Sequence, residues 1–284
     1  AGRTLDTITR EVINGGSNVQ YGEGQVTGRH LLVGGEATGN HYFTVRAVRK
    51  AVRFLKTMNA PRYEGSYWAI IHPDCSYDIQ DDPDWKRPHE YKDTSNIYDD
   101  EIGKIAGVRF IETTEAKVFH ADDLTEGARD LTVKSASGKV LTVNETITTA
   151  DAAKLAGREV VIGGALLEIE SALAAAAGSA TITLKEAPAT TPTASTAIYP
   201  GEAGAKGRNV YSTLIMGAEA YGTTELTGGG LEHIVKPLGS AGTADPLNQR
   251  ATVGWKATKV AERLVEAYMI RVETTSTFDE TPLT

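Results

Sequence analysis

Apolar residues recur at helical spacing most clearly over residues 43–58. Four of them fall on one face of such a helix: Val45, Val48, Val52 and Leu55. Basic residues fill much of the remaining surface, and the sequence Asn59-Ala60-Pro61 ends the pattern. We therefore predict a helix over this stretch, about 24 Å long at the standard rise per residue.

Shorter apolar runs predict strands. Two lie in the first half of the chain, at residues 67–71 and 108–112. Between about 118 and 208 the texture changes to hairpin patterns, with strands predicted at 131–134, 139–143, 160–162, 165–169 and 181–184. After residue 209 the denser texture returns, with an apolar stretch at 211–216 and a short strand at 234–235. We predict strand, helix and strand over 251–277.

The first 40 residues contain few large apolar side chains and many glycines. Such a segment buries too little surface to order itself alone. We predict an extended arm or long loop that contacts elsewhere must hold in place. It would have strand ends at Val12-Ile13 and 18–21 and a second strand at 31–33.

The composition, with 29 glycines, abundant threonine and only 5 phenylalanines, favours strands and turns and predicts an α+β fold. A single cysteine, Cys75, excludes an internal disulfide framework and a cysteine-rich zinc site. No apolar run reaches the roughly 20 residues that span a bilayer, so we expect no membrane partner.

Charge is segregated along the chain, whose formal net charge is -8. Ten acidic and three basic residues lie between Asp74 and Glu101, whereas residues 42–58 carry five basic residues and no acid. Two adjacent segments of opposite sign suggest that the basic helix contacts an acidic surface, on its own subunit or on a neighbouring one. The candidate contact residues are Arg46, Arg49, Lys50, Arg53, Lys56, Asp81, Asp82 and Asp84.

Signals for catalysis are weak. Cys75 follows His72 by three residues, but no nucleophile signature surrounds it, and a buried structural thiol is the favoured interpretation. A metal-assisted hydrolase remains an alternative, built on His72, Asp74, Asp78, His89 and Glu90, although their spacing fits no ligand template. We expect no enzymatic activity, no catalytic residues, no bound metal and no cofactor.

Several stretches taken in order resemble a known family. They are Arg46-x-x-Arg49, Gly65-x-Tyr67-x-Ala69-x-Ile71-His72-Pro73, Glu101-Ile102-Gly103, Gly107-Val108-Arg109-Phe110, the block from Val210 to Gly222, and Asp245-Pro246-Leu247-x-Gln249-Arg250-x-x-Val253-Gly254-Trp255-Lys256. The set resembles the major capsid proteins named after that of coliphage N-four, within the wider tailed-phage major capsid fold. The resemblance covers about residues 42–115 and 209–277.

This resemblance implies four regions. Residues 1–41 would be the N-terminal arm and extended loop, and 42–117 the peripheral domain with its spine helix and the start of the axial domain. Residues 118–208 would be an inserted β-rich surface domain, and 209–284 the axial domain and the return to the peripheral domain. Residues 42–58 would form the spine helix.

The implied function is that of a structural subunit that self-assembles, as hexamers and pentamers, into the icosahedral shell around phage double-stranded DNA. Expected partners are other copies, a portal, a scaffold, a decoration protein, and DNA bound without sequence specificity. The implied location is the virion capsid, assembled in the host cytoplasm. The threonine-rich segment 118–208 leaves a second hypothesis open, a β-rich virion decoration or surface-binding module.

Overall fold

A computed structural model of the chain describes residues 2–34, 41–86, 104–224, 230–240 and 249–280. The helices are α1 (Gly2–Asn14), α2 (Val45–Thr57), α3 (Pro73–Asp81) and α4 (Thr149–Leu155). The strands are β1 (Val19–Tyr21), β2 (Tyr67–Ile71), β3 (Lys104–Ile105), β4 (Val108–Glu112), β5 (Val118–Phe119), β6 (Leu131–Ser137), β7 (Val140–Val143), β8 (Glu159–Ile162), β9 (Ala165–Leu173), β10 (Thr181–Leu184), β11 (Ala197–Pro200), β12 (Val210–Met216), β13 (Tyr221–Thr223), β14 (Glu232–Lys236), β15 (Thr252–Lys256), β16 (Ala261–Arg263) and β17 (Met269–Thr274). The predicted α+β class is confirmed.

The main sheet has the strand order β1-β17-β12-β2-β4-β3, with β5 pairing with one end of β12. We call this sheet, together with α1, α2 and α3, the sheet body. All seven residues of β12 are buried, as a strand covered on both faces requires. Helix α2 packs its apolar side against the sheet, and its core includes Val48, Leu55, Ile71 and Ile215. The predictions of α2, β2 and β4 are confirmed.

Six strands between residues 131 and 200 close into a barrel in the order β10-β7-β6-β11-β8-β9. The barrel has its own hydrophobic core, which includes Leu131, Leu141, Ile169, Ile182 and Ile198. The hairpins predicted around 135–138 and 163–164 are present, and the strand predicted at 181–184 is β10. The chain enters and leaves the barrel at neighbouring positions, because β5 and β12 are antiparallel partners at Val118 and Tyr211.

Two predictions for the N-terminal segment are wrong. Residues 2–14 form a helix rather than an extended arm ending in a strand at Val12-Ile13, and residues 29–31 form a 3-10 turn where a strand was expected. The predicted strand at 18–21 does exist, as β1, and it pairs in parallel with β17. Burial comes from the same chain, since Ile13 packs with Leu214, Met216 and Met269.

Two further elements differ from the sequence analysis. The segment after His72, for which no element was predicted, contains a nine-residue helix, Pro73–Asp81, that begins with proline in its first turn and is capped by the His72 side chain. Over 251–277 the expected helix is absent, and the structure has β15, β16 and β17 with one 3-10 turn at Glu266–Tyr268. The motifs Glu101-Ile102-Gly103 and Asp245-Pro246-Leu247, and the residues His89 and Glu90, lie outside the described residues.

Among the residues that the structure describes, strands β14 and β15 pair only with each other. The expected strand at 234–235 lies within β14 and is confirmed. In the described part of the chain, no helix is both long and apolar enough to cross a membrane.

Candidate interaction surface

The acidic and basic segments meet inside the subunit at the start of α2. The Thr44 hydroxyl accepts a hydrogen bond from the backbone of Ala47 (3.2 Å), and Asp82 Oδ2 accepts one from the backbone of Val45 (2.9 Å). A carboxylate beside the amino end of a helix stabilises it through the helix dipole and the unpaired N–H groups. The other oxygen of Asp82 accepts from the Asp84 backbone (2.8 Å). Asp82 therefore has a structural role within its own chain.

Glu23 engages two of the five basic residues of α2. Its carboxylate lies 3.4 Å from Arg46 Nε and accepts a hydrogen bond from the Thr44 hydroxyl (2.9 Å), and its backbone carbonyl accepts one from Lys50. These contacts hold the turn after β1 against α2. Sequence reasoning missed Glu23, whose signal would have been an isolated acid in a glycine-rich turn.

Arg49, Arg53 and Lys56 form what we call the cationic stripe. All three are exposed, and their spacing of four and three residues places them in line along α2 over about 10 Å. With Val52, Thr57 and Ala106 they line a shallow cavity of about 550 Å³. Within the described residues, no acidic side chain forms a salt bridge with any of the three, so the stripe presents its charge outward.

The remaining acidic candidates lie on and after α3. Asp81 pairs with Lys86 (2.5 Å), a pair in which both side chains are exposed, and Asp84 is exposed as well. The structure thus brings Asp82 to α2 but leaves Asp81 and Asp84 without a described contact to its basic residues. Asp78, on the same helix, is buried and accepts a hydrogen bond from the Thr277 hydroxyl (2.6 Å). Burial raises the pKa of Asp78.

A second ionic cluster, which the sequence did not reveal, closes the opposite side of the sheet. Glu273 on β17 is fully buried and accepts paired hydrogen bonds from Arg29, at 2.7 and 2.8 Å. Arg271 Nε lies 2.7 Å from the same carboxylate. The Arg29 guanidinium also stacks over the Phe119 ring, 3.4 Å from its centroid. In the sequence, the available signal for this cluster was Glu273 itself, a lone glutamate in an otherwise buried strand.

Three residues of the hydrolase hypothesis, His72, Asp74 and Asp78, lie within the described part of the chain. His72 Nδ1 accepts a hydrogen bond from the Asp74 backbone (3.2 Å), and burial lowers the pKa of His72. Burial also raises the pKa of the Cys75 thiol and so favours its unreactive protonated form. The Cys75 sulfur contacts the Thr274 hydroxyl at 3.7 Å. In the portion that the structure describes, no three metal-ligating side chains cluster.

Comparison with known families gives the deciding observation. A family model described as phage capsid protein matches residues 4–223. The chain belongs to this phage capsid protein family. A search of curated proteins found no match.

Solved capsid structures also resemble this member of the phage capsid protein family. The capsid of cyanophage P-SCSP1u is 11% identical with a TM-score of 0.47, that of Ralstonia phage GP4 is 11% identical with 0.45, and the acidic stable capsid of Helicobacter pylori bacteriophage KHP30 is 9% identical with 0.48. The alignments cover 95%, 93% and 96% of this chain. They cover 61%, 54% and 65% of those chains, so this chain spans less than two thirds of their length.

Proposed function

We propose that the protein is a major capsid protein whose copies assemble into the icosahedral shell of a tailed phage. The family match over residues 4–223 carries this proposal. The ordered motifs Arg46-x-x-Arg49 and Gly65 to Pro73 favour, within that family, the group named after the coliphage N-four protein. The role is structural, with no enzymatic step.

The regions of the chain have distinct proposed roles. Helix α2 would be the spine helix of a peripheral domain over residues 42–117, and β12 would belong to the axial domain within 209–284. The barrel would be a surface domain inserted over 118–208. Its separate core and its adjacent entry and exit strands support that assignment. Within residues 1–41, α1 and β1 belong to the sheet body, which leaves less chain for an arm.

Proposed partners are other copies, arranged as hexamers and pentamers, together with a portal, a scaffold and a decoration protein. The shell would enclose double-stranded DNA without reading its sequence, assemble in the host cytoplasm and remain in the virion. An acidic subunit suits this task, since a strongly cationic lining would hold the duplex through many phosphate contacts.

Among the eight candidate contact residues, the cationic stripe and Asp84 are best placed for contacts between subunits, because they are exposed and form no described salt bridge. Arg46, Lys50 and Asp82 have partners within the chain. We expect Arg53→Glu to lower the yield of assembled particles without lowering monomer stability. Lys134→Glu, an exposed charge reversal on the barrel, is the control. Equal yields from the two variants would contradict a contact role for the stripe.

Electron microscopy of the purified protein, expressed with its portal and scaffold, tests the main proposal. We expect hollow polyhedral particles. Protein that stays monomeric under these conditions would contradict a shell role. The barrel supports one alternative, a virion decoration or binding module, and a variant without the barrel separates the two. A shell subunit still assembles, whereas a binding module loses its function.

A further inference from the structure

The two faces of the β14–β15 hairpin differ in their exposed apolar side chains. Cross-strand pairs Val235–Val253 and His233–Trp255 alternate with Glu232–Lys256, Ile234–Gly254 and Lys236–Thr252, among which Ile234 is half-buried. Because side chains alternate across a strand, the first two pairs share one face. On the other face, Lys256 forms an ion pair with Glu232 (2.8 Å). Such a pattern is typical of a ribbon that is covered on one side.

Nothing described in the subunit covers the apolar face. Val235 is 54% exposed, Val253 71% and Trp255 47%, and neither strand joins another sheet. An isolated two-stranded hairpin is marginally stable in water, and contiguous exposed apolar side chains mark interaction sites. A partner that buries Val253 and Trp255 would stabilise the hairpin and cover its exposed apolar side chains.

Charge indicates what kind of partner fits. Residues 230–260 carry four basic and two acidic residues in a chain of net charge -8, and two of the four pair within the subunit, Lys256 with Glu232 and Lys259 with Asp6. The hairpin is therefore a basic element attached to an acidic body, and another copy of this chain offers the complementary sign. Nucleic acid would match the charge, but it offers no apolar cover for Val253.

A matching acceptor lies on α3. Tyr77 and Phe278 are 54% and 56% exposed and contact each other edge to face, with ring centroids 4.9 Å apart. Asp74 and Asp81 lie three residues before and four residues after Tyr77, on the same side of the helix, and Asp84 follows. This surface joins exposed aromatic rings to negative charge, and the hairpin joins exposed apolar side chains to positive charge.

We propose that the apolar face of the β14–β15 hairpin in one subunit packs on the Tyr77–Phe278 pair of a neighbouring copy. The contact is heterologous, since two different surfaces meet, so it repeats from subunit to subunit around a closed ring. This inference rests on the proposed function, because it needs an assembly of identical chains.

Thiol cross-linking in assembled particles tests the pairing. The double variant Val253→Cys with Tyr77→Cys is treated with a short bismaleimide and run on a denaturing gel. We expect a ladder of dimers and higher oligomers, because each subunit carries one thiol for each neighbour. The single variants and the wild type, whose Cys75 is buried, should give at most traces.

The possible failures are distinguishable. Particles whose double variant cross-links no better than the single variants would overturn this inference and leave the shell function intact. Dimers from Val253→Cys alone would show hairpins packing on each other, which also overturns it. Wild-type protein that never forms particles contradicts the proposed function itself, and the inference falls with it.

A matched pair of charge variants gives an independent measurement. Val253→Asp changes the apolar face, and Thr252→Asp places the same charge on the opposite face of the same exposed strand. We expect Val253→Asp to lower particle yield at least tenfold and Thr252→Asp to lower it less than twofold. Both monomers should melt like wild type, because neither side chain is buried within the subunit. Equal loss from the two variants would contradict a face-specific contact.

Discussion

The barrel and the sheet body differ in how far apart in the sequence their packed segments lie. Every barrel strand lies between residues 131 and 200, and neighbours in the sequence are mostly neighbours in space. The sheet body instead joins β1 to β17 and β2 to β12, so its core depends on segments from opposite ends of the chain. A core built from neighbouring segments can fold and unfold independently, whereas a core built from distant segments unfolds as a whole.

The two regions also differ in the polar groups that they bury. The barrel core is aliphatic, and its nearby helix α4 begins with a reciprocal cap between Thr148 and Asp151. Asp151 is itself buried, so the barrel region holds one buried carboxylate in a local cap, whereas the sheet body buries Asp78 and Glu273 in contacts with distant residues. Polar substitutions at Asp78 or Glu273 therefore disturb contacts between distant segments, while one at Asp151 disturbs the start of α4.

Removal of the barrel is the most drastic test of this independence. The Arg158 guanidinium contacts both the Asp123 carbonyl (2.8 Å) and the Glu202 carboxylate (2.6 Å), so the two ends of the segment lie close together. Replacing residues 124–201 by three glycines should remove one calorimetric transition and leave that of the sheet body within about 1 kcal/mol, the range of modest surface changes. A variant that fails to fold would show that the two cores are coupled.

Loss of volume in the barrel core should have the next largest effect. Ile182 is fully buried, and Ile182→Ala should lower the barrel's free energy of unfolding by about 4 kcal/mol through lost burial and a cavity. The transition of the sheet body should not move. Val140→Ala, at a barrel position that is 40% exposed, is the control and should cost less than about 1 kcal/mol.

Glu273→Gln probes the buried ionic cluster of the sheet body. It leaves Arg29 and Arg271 without a counter-charge, and we expect a loss of about 3 kcal/mol, at the low end for buried pairs because Arg29 keeps some contact with water. Chemical denaturation followed by tryptophan fluorescence measures it, since all three tryptophans lie outside the barrel. The exposed Glu262→Gln should change stability by less than about 0.5 kcal/mol. Equal effects would contradict a special role for Glu273.

The smallest effect is a difference in pH dependence between the regions. Burial raises the pKa of Asp78, so its charged form costs stability at neutral pH, and the sheet body recovers that stability as pH falls through the raised pKa. The hydrogen bond from the Thr148 side chain lowers the pKa of Asp151, so its contribution to the barrel persists until pH falls below about 4. Melting of Asp78→Asn and Asp151→Asn between pH 7 and pH 3.5 should therefore show slopes that deviate from wild type in opposite directions. Deviations of the same sign would contradict the assignment.

Local patterns explain which elements could be predicted from the sequence. Helix α2, strands β2 and β4 and the two barrel hairpins each carry their own periodicity, which their surroundings reinforce. Helix α1 was missed although Leu5, Ile8 and Val12 have helical spacing, because the glycines that follow dominated the interpretation of the whole segment. Met216 and Met269, more than 200 residues away in the sequence, pack against Ile13 of this helix, and no local pattern reveals such partners.

The contacts of the candidate surface between subunits stay a prediction. The segregation of charge favoured an acidic partner for α2, and Asp82 provides one within the chain. The sequence could not distinguish residues with partners in their own subunit from residues that face outward, because that distinction depends on how Glu23 and Asp82 reach α2 through the tertiary fold. The cationic stripe is therefore a result of the structure.

The pairing of β1 with β17 has a consequence for the order of events during synthesis. Arg271 donates a hydrogen bond to the Asn14 carbonyl, and these residues are 257 positions apart. A ribosome must therefore deliver nearly all of this sequence before the edge of the sheet can close, while the barrel can already fold on the emerging chain. Until that moment α1 and β1 lack their docking site. In the proposed shell, the late arrival of β17 would delay contacts with neighbouring copies until this edge of the sheet has closed.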